Sequence, residues 1–175
     1  LWQGIFEKYG IDLQTTEFVA GINTIDAVVN GTADIGMMAD YAAVNRLGNT
    51  LDATNLQIFS QISGGQSALS GGLYVDPKYA DDPKSLDGSA GFMYQEGTVT
   101  YYYASKCIEY LGLDESKQNL INTDSSQTRL ALIQKGGASA VYANGSEAKY
   151  IEEAGWVQVA TSQEIGIQTG SYFLS

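Results

Sequence analysis

Residues 29–44 read VNGTADIGMMADYAAV, and residues 134–151 read QKGGASAVYANGSEAKYI. Each stretch begins where an apolar helical pattern ends in a glycine, Gly31 in one and Gly136 in the other. Glycine suits that place because it accepts the left-handed backbone that closes a helix. In each, a Gly-x-Ala step and a short apolar strand follow. Nine residues after the glycine a new helix opens, at Asp40 in the first copy and at Gly145 beside Ser146 in the second. Helix-glycine-strand is common in any α/β protein. Its repetition in this layout predicts two similar α/β lobes, with Asp40-Tyr41 and Asn144-Ser146 at the carboxyl ends of their strands. In open parallel sheets that is where ligands bind.

Outward from these two copies the pattern alternates. Trp2, Ile5, Phe6 and Tyr9 recur at helical spacing and Gly10 stops them. Ile11–Val19, β-branched and aromatic between glycines, predicts a strand. A helix capped by Asn23 or Thr24 turns Ile25, Val28 and Val29 inward. Ala33–Met38, Leu56–Ile62, Leu73–Val75, Ala90–Tyr94, Leu120–Asn122, Ala138–Tyr142, Trp156–Ala160 and Tyr172–Leu174 predict strands. Asp40–Leu47, Thr98–Leu111, a segment from Asp124 or Ser125 to Gly136, and Ser146–Ala154 predict helices. Strands alternating with helices place the chain in the α/β class with mostly parallel sheets flanked by helices.

The 175 residues carry a formal net charge of −11, with nine Lys and Arg scattered along the chain. Such a surface repels phosphates, and no basic stripe counters it, so no nucleic-acid partner is expected. There is no histidine and a single cysteine, Cys107. Histidine triads, histidine metal sites and an internal disulfide are thereby excluded. No carboxylate spacing matches a calcium loop. No metal and no cofactor is expected. Apolar runs fall far short of the ~20 residues a membrane span needs. The chain opens already in a helical pattern, LWQGIFEKYG, so a preceding segment is expected.

In order along the chain stand GIFEKYGIDLQTTEFVAG, AVVNGTADIG, SLDG, EGTVTYYYASKCIEYLGLD, ALIQKGGASAV and EEAGWVQVATSQEIG. This ordered series resembles the solute-binding proteins of ABC importers, of the nitrate, sulfonate, taurine and thiamine-precursor family, over nearly the whole chain. The resemblance implies a type II periplasmic-binding-protein fold, with two lobes, two crossovers and a ligand cleft between them. It divides the chain into a first lobe at 1–84, a second at 85–162, and a return to the first at 163–175. It also implies a first strand before residue 1 and helices after residue 175. The thiamine-pyrimidine enzymes of the family use histidine and a cysteine-rich motif; this chain has neither, which argues against catalysis.

Four loops are candidates for ligand contact. Glu96-Gly97-Thr98 joins a strand to a helix whose free N–H groups point outward; in the resembled family this loop helps hold the ligand's polar head. The plain alternative is an N-cap with a dipole-favoured glutamate. Asp40-Tyr41 is the matching loop of the first lobe. Ser63-Gly64-Gly65-Gln66 lacks the Lys-Ser/Thr ending of a phosphate loop, and reads either as ligand contact or as a flexible turn. Asn144 completes the set. Behind Thr98, Tyr101 shares a helical stripe with Ala104, Ile108 and Leu111 and is expected in the core, with Cys107 near it. Tyr102 and Tyr103 point elsewhere; packing in the core or on the surface is the first expectation for each, and a place for one of them at the cleft mouth the alternative.

None of these loops contains Lys or Arg, and Asp40 and Glu96 oppose an anion. A neutral, amine-bearing or aromatic small molecule is therefore favoured over a simple sulfonate. The expected partners are that small-molecule ligand and an ABC permease. Membrane contact is expected only through an N-terminal anchor outside these residues, as in a tethered periplasmic or extracellular lipoprotein. The alternative is a small-molecule-sensing domain of a regulator with the same fold; an enzyme is the weakest reading.

Overall fold

The structure, a computed structural model, describes residues 4–48, 55–64, 71–88 and 91–175. In chain order its helices are α1 (Ile5–Lys8), α2 (Gly21–Val29), α3 (Asp40–Leu47), α4 (Val99–Leu111), α5 (Ser126–Gln134), α6 (Gly145–Glu153) and α7 (Ser162–Ile165). Its strands are β1 (Gly36–Ala39), β2 (Ile58–Gly64), β3 (Gly72–Val75), β4 (Phe92–Tyr94), β5 (Leu120–Asn122), β6 (Ala140–Ala143), β7 (Val157–Thr161) and β8 (Gly170–Leu174). They form two sheets, β1-β8-β2 and β5-β4-β6-β3-β7.

The repeated unit is realised in both places. Gly31 and Gly136 have φ of 68° and 66°, the left-handed closure that makes a substituted residue strain. The first copy, α2-β1-α3, builds an edge of the smaller sheet. The second, α5-β6-α6, supplies the middle strand of the larger one.

Period-two alternation organises the larger sheet. Leu73, Phe92 and Tyr142 face one side, where Tyr103, Cys107, Ile108 and Leu111 of α4 and Ile165 of α7 cover them. Tyr74, Met93 and Val141 face the other, against Ile133 of α5, Ile151 of α6 and Trp156. In the smaller sheet one face is covered: Met38 and Leu174 pack with Ile25, Ala42, Ala43 and Leu47. On the rest of that sheet Met37, Ile58 and Phe59 are exposed, and Phe59 stacks on Phe173 with ring centroids 6.1 Å apart.

Several expectations need correction. The mostly parallel sheets reduce to β5-β4-β6, which pair parallel; β3 pairs antiparallel with β6 and β7, and β8 antiparallel with β1 and β2. Parallel neighbours need a crossover that returns to the same sheet. β3 and β8 instead arrive from the other sheet and run the opposite way. β3, inside the expected first lobe of 1–84, lies between β6 and β7 of the larger sheet. Ile11–Val19 is not a strand: these residues carry no regular structure. Among the described residues β1 pairs only with β8, and a β-branched run that joins no ladder has none of the hydrogen bonds that make a strand. In α2, Ile25 and Ala27 are buried, while Val28 is half-buried and Val29 exposed.

In α4 the caps are where the sequence puts them, with Thr98 at the N-cap and Gly112 at φ 70°. The packed tyrosine is Tyr103, not Tyr101. The stripe that wins runs through Tyr103, Ala104, Cys107, Ile108 and Leu111, and it takes Cys107 fully inside. Burial pushes that thiol's pKa far up, so it stays neutral and unreactive.

Candidate functional site

β1 ends at Ala39 and α3 starts at Asp40, so the Asp40 carboxylate sits at a helix N-terminus where its charge is favoured. One oxygen, Oδ1, accepts from the Tyr41 N–H at 2.7 Å. The other, Oδ2, accepts from the N–H of Gly170, the first residue of β8, also at 2.7 Å. Opposite Gly170 lies Gly64, with Ser63 opposite Ser171. Asp40, Ser63 and Gly64 therefore meet at the start of β8. Gly65 and Gln66 lie outside the described residues.

Tyr41 turns the other way. Its ring lies 6.4 Å from that of Tyr102 at 29° and 6.5 Å from that of Tyr101 at 40°. The chain of rings continues in both directions. Tyr101 meets Tyr94 edge-on at 5.4 Å. Tyr102 adjoins Tyr103, which lies 4.1 Å from Tyr142. Tyr41 and the α4 tyrosines thus join the smaller-sheet unit to the larger. Tyr41, Tyr101 and Tyr102 are half-buried.

The buried end of this chain is fastened by hydroxyls. Tyr103 Oη hydrogen-bonds with Thr169 Oγ1 at 3.1 Å. Tyr142 Oη and Ser162 Oγ are 2.8 Å apart, and Ser162 Oγ donates to the Gly71 carbonyl at 2.6 Å. Asn144 stands beside the same corner: a Cβ at Gly71 would meet the Asn144 Cβ at 2.6 Å.

Burial pushes the Tyr142 phenol up to about 12. Burial and the adjacent Glu152 carboxylate likewise push Tyr74 up to about 12. Both shifts favour the neutral phenol in the folded state. Their stabilising contribution is complete below the unfolded value of about 10 and is lost as pH rises towards 12. Stability measured by denaturant titration is expected to fall between about pH 10 and about pH 12. Tyr142→Phe is expected to make that fall shallower; an unchanged slope would show that Tyr142 does not titrate with unfolding.

Glu96-Gly97-Thr98 divides its duties. Thr98 is a cap: its hydroxyl donates to the Gln95 carbonyl at 2.8 Å and accepts from the Thr100 N–H at 3.3 Å. Gly97 has φ 73°, and a Cβ there would lie 3.3 Å from Ile22 Cδ1 at the start of α2. It therefore faces the smaller-sheet unit, as Tyr41 faces the larger. Glu96 turns to β5. Its N–H donates to Asn122 Oδ1 at 3.0 Å, and Asn122 Nδ2 donates to its carboxylate at 3.3 Å. An open depression of about 460 Å³ at the carboxyl ends of β4 and β5 is lined by Gln95, Glu96, Asn122, Thr123, Asp124 and Thr128.

The predicted residues thus fall into two groups. Asp40, Tyr41, Ser63, Gly64 and Asn144 gather around the tyrosine chain and the start of β8, and Gly97 faces Ile22. Glu96 belongs to the depression beside β5. Sequence reading missed Tyr94, Tyr142, Ser162, Thr169 and Asn122. The position of Tyr142 at the carboxyl end of an apolar strand was a usable signal; nothing local marks the others. Among the described residues no group of three or more His, Cys, Asp or Glu is placed to hold a metal ion. No described helix is long and apolar enough to cross a membrane.

No protein-family model and no curated protein matches the sequence. Solved structures do match. The periplasmic aliphatic sulphonate binding protein SsuA from Escherichia coli superposes with a TM-score of 0.75 at 16% identity, over 99% of this chain and 58% of that one. The alkanesulfonate-binding protein SsuA from Xanthomonas axonopodis pv. citri, bound to MOPS, gives 0.69 at 18% identity, over 91% of this chain and 53% of that one. The fold is that of the type II periplasmic binding proteins. The chain spans little more than half the length of either neighbour.

Proposed function

We propose that this chain is the solute-binding component of an ABC importer, periplasmic or extracellular, which captures a small organic molecule between two lobes and delivers it to a membrane permease. The observation that carries this reading is the seam between the sheets. In a fold shared with solute-binding proteins, Tyr41 from one unit faces Tyr101 and Tyr102 from the other. A molecule held there touches both lobes, and so favours their closed arrangement.

The seam also supports a ligand class. Its exposed chemistry is phenol rings and hydroxyls, and its candidate loops hold neither Lys nor Arg. A neutral, amine-bearing or aromatic solute suits tyrosine faces through stacking or cation–π attraction. Asp40 weighs less in this preference than its charge suggests, because both its oxygens already accept backbone N–H groups. The tyrosines carry it. The two SsuA neighbours, by contrast, are sulfonate binders.

Thermal-shift measurement with amines, pyrimidines and sulfonates is the direct test. A bound solute at a hundred times its Kd stabilises by about 2.7 kcal/mol, which such a scan resolves. Stabilisation by sulfonates alone overturns the ligand class; no stabilisation by any compound, with no solute retained in native mass spectra of fresh protein, overturns the binding role. Tyr41→Ala is expected to weaken the best solute by about tenfold, the loss of one aromatic contact. Recovery of the solute unchanged and stoichiometric separates this role from an enzyme's.

A further inference from the structure

The chain passes from the larger sheet back to the smaller between Ser162 and Thr169, and Asp40 grips the point where it arrives. Gly170 is buried and begins β8. A buried N–H without a partner is costly. That of Gly170 donates to Asp40 Oδ2, across 130 positions of sequence. One residue earlier, the Thr169 hydroxyl is held by Tyr103 of α4. Two neighbouring residues are thus fastened to different units: Thr169 to the helix that covers the larger sheet, Gly170 to the helix that covers the smaller. The residue after Asp40 is Tyr41, whose ring lies on Tyr101 and Tyr102 of the same α4.

We propose that Asp40 is a positioning residue of the cleft and not a ligand contact: its carboxylate locks the returning segment to the start of α3 and so sets where Tyr41 stands against α4. This rests on the solute-binding reading for its purpose, but not for its test. A carboxylate is needed at this position because two backbone donors approach it. An asparagine keeps one acceptor for Tyr41 and offers an N–H₂ group to the other donor, so the Gly170 N–H loses its partner. The hydrogen bond lost is one to a charged group, the stronger kind.

The test is hydrogen exchange of the Gly170 amide, followed by NMR in the solute-free protein, comparing wild type with Asp40→Asn. Exchange at Gly170 is expected to quicken by about tenfold or more, with the amides of β6 keeping their protection. Small-angle scattering of the same solute-free variant is expected to give a larger radius of gyration, because the seam at Tyr41 loosens; a change in stability alone does not move that radius below the unfolding transition. Asp40→Ser, too short to reach both donors, supplies the same readout should the asparagine variant fail to fold. Unchanged protection at Gly170 overturns the proposal. So does selective loss of binding to the ammonium-bearing compounds with Gly170 still protected, which returns Asp40 to the ligand. Failure of every compound to bind leaves the exchange result standing and counts only against the importer role.

Discussion

Replacing Arg129 with methionine is expected to lower the midpoint of thermal unfolding by roughly 10 °C, for a loss of about 3 kcal/mol in a chain of this size. Arg129 is 5% exposed, an unusual place for a permanent charge. It survives there because its donors are used. Nε donates to Glu147 Oε1 at 2.6 Å, Nη1 to Thr123 Oγ1 at 3.2 Å, and Nη2 to Ser126 Oγ at 3.0 Å. Thr123 in turn donates to the Tyr94 carbonyl at 2.7 Å. The guanidinium therefore ties α5 to α6 and both to the carboxyl ends of β4 and β5. Methionine fills much of the volume and supplies none of the donors. Glu147, whose side chain is 19% exposed, is left as an uncompensated carboxylate, and that residue dominates the cost. It follows that Arg129→Met with Glu147→Leu should be clearly more stable than Arg129→Met alone, because the orphaned charge is gone. If the double variant is no better than the single one, the cost lies in packing and not in the charge.

Gly72→Ala is the second large effect, expected to cost about 3 kcal/mol. Gly72 starts β3, which sits between β6 and β7. A Cβ there would stand 2.1 Å from the Ala160 carbonyl oxygen and 2.4 Å from Gln158 Nε2. The glutamine tip can swing aside. The carbonyl belongs to β7 and cannot move without parting the two strands. The ladder is already irregular here, with a register shift between Leu73 and Tyr74, so the strands have no slack to give. Gly137 is the control: it is exposed, and its added Cβ would meet a leucine methyl, Leu132 Cδ2, at 3.1 Å. Gly137→Ala is expected to stay within about 0.5 kcal/mol of wild type. Denaturant titration of the two variants decides the matter; equal costs would mean that the close approach at Gly72 relaxes easily.

Much of the molecule was legible without the structure, and for one reason. Helices and buried strands announce themselves through the spacing of neighbours, and a cap or a terminating glycine acts within a turn. Thus α3 spans Asp40–Leu47 as read, α4 runs from its Thr98 cap to Gly112, and Gly31 and Gly136 close their helices. Even so, local spacing misled where two stripes competed. On α4 the stripe from Tyr101 and the stripe from Tyr103 both end at Leu111, and only the sheet beneath, with Tyr142 at 4.1 Å, selects Tyr103. Ile11–Val19 has every local mark of a strand and lacks one, because a strand exists only by pairing.

By itself, the sequence determined the α/β class, the order of most elements, the repeated helix-glycine-strand-helix unit, and a net charge of −11. Those follow from forces acting between near neighbours or from simple sums over the chain. Tertiary structure alone decided which sheet each strand joins, that β3 and β8 run against their neighbours, and that Asp40 serves Gly170 while Tyr41 serves α4. These are long-range choices. Hydrogen-bond partners so far apart carry no mark of each other in composition or periodicity, and they become partners only when burial leaves a donor such as the Gly170 N–H with no water to turn to.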